Sequence, residues 1–138
     1  MTRDDVIREA RALCGTPFHH QARLPGVGID CVGVGVCVAR ALGIAVIDSN
    51  DYPRRLNRRD PDRLLQYLRL NLDPSASPIP GDVLAFTYRD TGLVYHIGIM
   101  TDIDRMVHAW VGGRKVIEAP LSDWAGSLHS SWCFRGLA

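Results

Sequence analysis

Two hydrophobic periods divide the chain. As far as about residue 72 the apolar residues recur at helical spacing, and beyond residue 82 they alternate. Val6, Ala10, Leu13 and Cys14 share one face of a helix predicted over residues 3–14, with Thr2 as cap, Asp5 three positions on and Gly15 as stop. Asp30 is a good N-cap for a second helix running to about Leu42 and ended by Gly43. This helix is apolar nearly all round and carries glycines at 33 and 35, so it is expected to be buried and closely packed. Asp60-Pro61 opens a third helix to about Leu72, with cap and N1 proline in their usual places. Residues 15–29, with three glycines and two prolines, read as a structured loop, and PSASPIPGD (74–82) reads as a loop too short to link domains.

After that loop, DVLAFTY (82–88), YHIGIMT (95–101), RMVHAW (105–110) and RKVIEA (114–119) read as strands separated by turn residues. A short helical turn around 121–126 and a last strand, SWCFRG, close the chain. Helices first and strands second define an α+β fold in one domain, residues 1–138, with N-terminal helices packed on a mostly antiparallel sheet of about five strands.

Composition narrows the function. A net charge of +1 and a hydrophobic share of 46% belong to a globular protein and give no reason to expect nucleic acid or a membrane as partner. An arginine cluster, Arg54, Arg55, Arg58 and Arg59, reads first as a solvated loop and second as a contact for an anionic polymer. No apolar run approaches the ~20 residues of a membrane span, and MTRDDVIREA lacks an apolar signal region. The expectation is synthesis in the cytoplasm without a signal peptide. In that setting Cys14, Cys31, Cys37 and Cys133 are expected as free thiols.

Cys31 stands apart from the other three. Directly behind the capping Asp30, it occupies the first position of the second helix, where free N–H groups and the positive dipole end favour a thiolate. Its own N–H can serve an oxyanion, and Gly33 lets another backbone or a substrate come close. Cys37 lies mid-helix among valines and reads as a small hydrophobe. A thiol nucleophile needs a base, and the base needs a third group to hold its tautomer. His96 and His108 are embedded in neighbouring strands, and Gly98 beside His96 leaves room for a ring. Zinc is the competing use of cysteine and histidine, but the short ligand pairs of structural sites are missing, so neither metal nor cofactor is expected. Phosphate-loop, dinucleotide and G-x-S-x-G motifs are also missing.

Pairing geometry constrains the histidines. Opposed residues of an antiparallel pair share a face and have a constant number sum, so residues 96 and 108 share a face only if that sum is even. The two-residue loop Ile103-Asp104 gives an odd sum. An odd-length connection or a bulge is therefore predicted, with the His96 ring between Cys31 and His108.

The ordered set GTPF, DCVG, PGDVLAF, HIGIM and VHAW resembles the NlpC/P60 family of papain-like cysteine peptidases, over about residues 12–135. The resemblance implies Cys31 as nucleophile, His96 as general base and later acid, and His108 as the orienting residue. It implies a peptidoglycan stem peptide as substrate, cut between D-glutamate and the diamino acid, with Asp30 helping to hold the stem peptide's free amine besides capping the helix, and Phe18 at the substrate site. GTPFHHQARLPGVGIDCVG resembles most the prophage and gene-transfer-agent branch, so other phage tail proteins are candidate partners and a phage-like tail particle a candidate location. Val32 stands where the family often has serine, and Phe18 where many members have tyrosine. Alternatives are a non-enzymatic tail component on the same fold, or an amidase or acyltransferase using the same three residues.

Overall fold

A computed structural model describes residues 1–49, 52, 62–89 and 91–137. The arginine cluster at 54, 55, 58 and 59 and the Asp60-Pro61 helix start lie outside the described residues.

Helix α1 (Arg3–Ala12) opens on a reciprocal capping box between Thr2 and Asp5, and Gly15 beyond it takes a left-handed φ of +91°. Helix α2 (Cys31–Ala41) begins where the Asp30 carboxylate accepts the Gly33 N–H at 2.8 Å, and Gly43, at φ +71°, turns the chain away. Helix α3 spans Arg63–Asn71. The loop expected over 15–29 holds a small antiparallel pair, β1 (Arg23–Leu24) and β2 (Gly28–Ile29).

The main sheet has six strands: β3 (Asp73–Ser75), β4 (Val83–Thr87), β5 (Val94–Asp102), β6 (Arg105–Trp110), β7 (Lys115–Pro120) and β8 (Leu128–Cys133). Their order is β3-β8-β4-β5-β6-β7 and every pairing is antiparallel. The sixth strand is β3, which the sequence presents as loop because Pro74 lacks an N–H. An edge position, paired to β8 alone, tolerates that loss. The last strand also begins three residues before SWCFRG, at Leu128. Two 3₁₀ segments, Val111–Gly113 and Leu121–Ser127, flank β7.

Alternation sorts the sheet into two faces. Val83, Ala85, Ile97, Ile99, Val107 and Ala109 pack with the apolar sides of the three helices in one large core. Leu84, Phe86, Met100 and Met106 point the other way, into a smaller cluster covered by Leu121 and Trp124. Asp82, fully buried before β4, ties α1 to the sheet by accepting from Arg3 at 2.6 Å, the Ser75 hydroxyl at 2.9 Å and the Ile79 N–H at 3.1 Å.

The two glycines of α2 have opposite surroundings. A Cβ on Gly33 would lie 2.7 Å from both the Ala22 carbonyl oxygen and Ile29 Cγ2, so this glycine admits another stretch of backbone. A Cβ on Gly35 would meet nothing within 4 Å. Gly35→Ala is therefore expected to stabilise the protein by about 1 kcal/mol through helix propensity. Gly33→Ala should destabilise it by roughly 1–3 kcal/mol through overpacking against backbone. Urea denaturation of the two variants checks both signs.

Candidate active site

The connection between β5 and β6 decides where the histidines point. The tight loop pairs Asp102 with Arg105, which alone would send them to opposite faces. Thr101 then stands unpaired as a bulge, and the register resumes with Met100 opposite Met106 and Ile99 opposite Val107, an even sum. His96 and His108 consequently share the face away from the helices. Their rings meet there, His96 Nε2 to His108 Nδ1 at 2.8 Å. Gly98 makes the meeting possible, since a Cβ at that position would lie 3.2 Å from His108 Cβ and 2.9 Å from Met106 Sδ.

Cys31 approaches from the helix side. The β5–β6 pairing ends at Ile99–Val107, whereas β6 stays paired to β7 as far as Trp110–Lys115. The Met100 N–H donates toward β4, to Asp82 O. Amide direction alternates along a strand, so the Ile97 N–H points toward β6, where the ladder has already stopped. The half-buried Cys31 lies where the Ile97 and Val32 amides favour its charged form, which puts its thiol beside this stretch of β5. The thiol thus sits at the residue following His96, in the opening left by the two diverging strands.

The site is electrically quiet. Burial and the Asp30 charge push the Cys31 thiol up to about 12, against the two backbone donors and Arg23. Burial and the neighbouring carboxylate thus act against the lowering expected of a helix start, where the dipole end carries about half a charge. Burial, with a smaller contribution from His108, drops His96 to about 3, and burial alone drops His108 to about 4. Near neutral pH the three side chains rest as a thiol and two neutral imidazoles. Cys37 is buried, as expected of a small hydrophobe in the helix, and Cys14 is exposed.

Asp30 is only 2% exposed, and its acceptor positions are filled. One oxygen takes the Gly33 N–H at 2.8 Å and Arg23 Nη1 at 2.9 Å; the other takes the Gln21 N–H at 2.7 Å and the Tyr52 hydroxyl at 2.6 Å. Direct contact with a substrate amine requires one of these four to give way. Arg23 also bonds the Tyr52 hydroxyl at 2.6 Å and Asp48 at 3.1 Å. Burial disfavours its charge, but Tyr52, Asp30 and Asp48 outweigh that and hold it protonated. Phe18 is half-buried against the core cluster that includes Cys31, and its N–H donates to Arg114 O at 2.8 Å.

Three aromatic residues surround the pair, of which alternation along the strand puts Trp110 on the His108 face and says nothing of the other two. Trp124 stacks on His96 with ring centroids 4.7 Å apart and planes 25° apart. Trp110 lies nearly parallel to His108, at 6.3 Å and 15°. Tyr95 lies 6.0 Å from His96, and burial raises its hydroxyl, with smaller contributions from Tyr88 and Cys31. Trp124 lies outside the β5–β6 hairpin, and no spacing rule connects it to the site.

No family model matches the sequence, and no curated protein does. Solved structures do match. An NlpC/P60 family protein from Bacillus cereus superposes with a TM-score of 0.71 at 20% identity, covering 97% of this chain and 40% of that one. A protein described as similar to lipoprotein of the NLP/P60 family, from Staphylococcus aureus, gives 0.66 at 21% identity over 96% of this chain and 41% of its own. The NlpC/p60 domain of the peptidoglycan hydrolase SagA gives 0.66 at 18% identity, over 97% of this chain and 100% of that domain. The chain thus has the NlpC/P60 fold. It spans less than half the length of the first two proteins and the full length of the third.

Neutral buried histidines make stability depend on acid. The unfolded chain takes up protons below about pH 6.5, whereas the folded chain does so only near 3 to 4. Stability is therefore whole above 6.5 and falls as pH drops below it, by up to about 1.4 kcal/mol per pH unit for each histidine. Denaturant unfolding between pH 6.5 and 5, above the usual carboxylate range, should show this slope, and His96→Gln should reduce it by roughly half.

Proposed function

We propose that this protein is a cysteine peptidase that hydrolyses peptidoglycan stem peptides, with Cys31 as nucleophile, His96 as base and His108 as orienting residue. The observation that carries the proposal is the 2.8 Å bond between two buried imidazoles, in a chain whose Cys31 opens a helix. The fold it shares with the NlpC/p60 domain of the peptidoglycan hydrolase SagA supports the substrate class.

Tautomers follow from the roles. When His108 accepts at Nδ1, the proton of His96 is on Nε2 and its Nδ1 keeps a lone pair for the thiol. Attack then joins Cys31 Sγ to the stem-peptide carbonyl carbon while His96 Nδ1 takes the thiol proton. The Cys31 N–H, unpaired within the helix, faces the developing oxyanion. Return of the proton to the departing amine leaves a thioester. A water activated by His96 cleaves it, giving the acid and the free thiol. Because the resting thiol is neutral, proton removal accompanies attack and does not precede it.

The finer reading places the cut between D-glutamate and the diamino acid, with Phe18 against the stem and Asp30 fixing the helix start. It places the protein with other phage tail proteins in a tail particle. The motif set around GTPF and DCVG supports this branch.

Incubation of the pure protein with muropeptides and mass spectrometry of the products is the test. Cleavage within the stem is expected, and Cys31→Ala should lower turnover by at least ~10³-fold, in line with loss of an activated nucleophile. An intact, folded protein that leaves every muropeptide uncut would overturn the reading in favour of a tail component without activity. The resting state has its own check. The ultraviolet absorbance difference between the protein and Cys31→Ser should show no thiolate near neutral pH, and a thiolate band there would contradict the neutral site.

A further inference from the structure

The His96–His108 pair ends on an unpaired nitrogen. His108 is 1% exposed, and its Nε2 is the one buried side-chain nitrogen or oxygen without a hydrogen-bond partner among the described residues. Its only polar tie is therefore to His96, and no fourth group fixes the plane of the orienting ring. Packing must supply that orientation.

Trp124 is placed to do so. Besides stacking on His96, it stands edge-to-face with His108 at 5.4 Å and 81°, and with Trp110 at 5.5 Å and 86°. The 3₁₀ segment that carries it is tied down at both ends. At its start the Leu121 N–H donates to Asp104 O at 2.9 Å and the Ser122 N–H to Asp104 Oδ1 at 2.9 Å; at its end Ser127 O accepts from the Thr87 hydroxyl at 3.2 Å. Between those ties, residues 122, 123, 125 and 126 are exposed, and the half-buried Trp124 turns in toward the sheet. The segment bridges the β5–β6 loop and the end of β4 across the histidine pair.

We infer that Trp124 is a positioning residue for the proposed reaction, which rests on the peptidase reading: its indole sets the planes of both imidazoles and keeps water from their hydrogen bond. A stacked ring resists rotation of His96 about χ2, which would break the bond to His108. A dry bond between neutral partners is also stronger than a hydrated one. The other groups around His96 are His108 from β6, Tyr95 on its own strand, Phe86 from β4 and the Cys31 thiol at the neighbouring amide; none of them is charged near neutral pH.

The test is histidine-labelled NMR titration of the full chain and its Trp124 variants, with exposed His19 and His129 as internal references. In Trp124→Ala the His96 midpoint should rise toward the ordinary value by ~1 pH unit or more as water reaches the ring. Trp124→Phe, which restores a planar ring, should recover most of the difference. Trp124→Leu, apolar without a ring, gives a second reading if the alanine variant does not fold. On muropeptides the alanine variant should lose kcat by ~10-fold or more with KM little changed. A folded alanine or leucine variant whose His96 titrates as in the parent protein overturns the inference. The titration needs no substrate. A shifted midpoint in a protein that cuts no muropeptide would sink the peptidase reading and leave the covering role of Trp124 standing.

Discussion

One extra residue in β5 governs the site. Thr101 has no partner on β6, and its insertion changes the parity of the hairpin so that His96 and His108 fall on one face. A regular two-residue hairpin would separate them by the thickness of the sheet. The bulged residue is itself secured: its hydroxyl donates to Glu118 at 2.6 Å, and Glu118 is held in turn by Arg11 of α1. Helix, bulge and β7 therefore share a single polar anchor, and the histidine register depends on it.

The second constraint is the opening between β5 and β6. Helices occupy one face of the sheet and the histidines the other, so a thiol at a helix start could not reach an imidazole through an intact ladder. The ladder stops at Ile99–Val107, and the Ile97 amide beyond that point favours the charged form of Cys31. Gly98 keeps the opening clear from the strand side, and Gly33 lets the first turn of α2 settle against the Ala22 backbone. Two positions without side chains thus shape the surroundings of Cys31 and of the His108 ring.

Burial shapes the chemistry as much as geometry does. Aromatic rings enclose the histidines, and the Asp30 carboxylate next to the cysteine raises the cost of a second negative charge there. The network of Asp30, Arg23, Tyr52 and Asp48 keeps that carboxylate compensated and the helix start fixed. Burial disfavours the charged form of Cys31, His96 and His108 alike.

Much of this was legible in the chain itself. Local signals are decisive where a few neighbouring residues settle the outcome: Thr2 with Asp5, Asp30 with Gly33, Gly15 and Gly43 at the helix ends, and alternation along β4 to β7. The same locality made Cys31, His96 and His108 recognisable as a set, and parity alone required a bulge or an odd loop. Proline hid β3, because its pairing with β8 joins residues more than fifty positions apart. The raised thiol, the saturated Asp30, the orphaned His108 Nε2 and the indole over the histidines were decided only by the tertiary structure. Desolvation and ring packing depend on what surrounds an atom in space, and residues distant in the chain supply those surroundings.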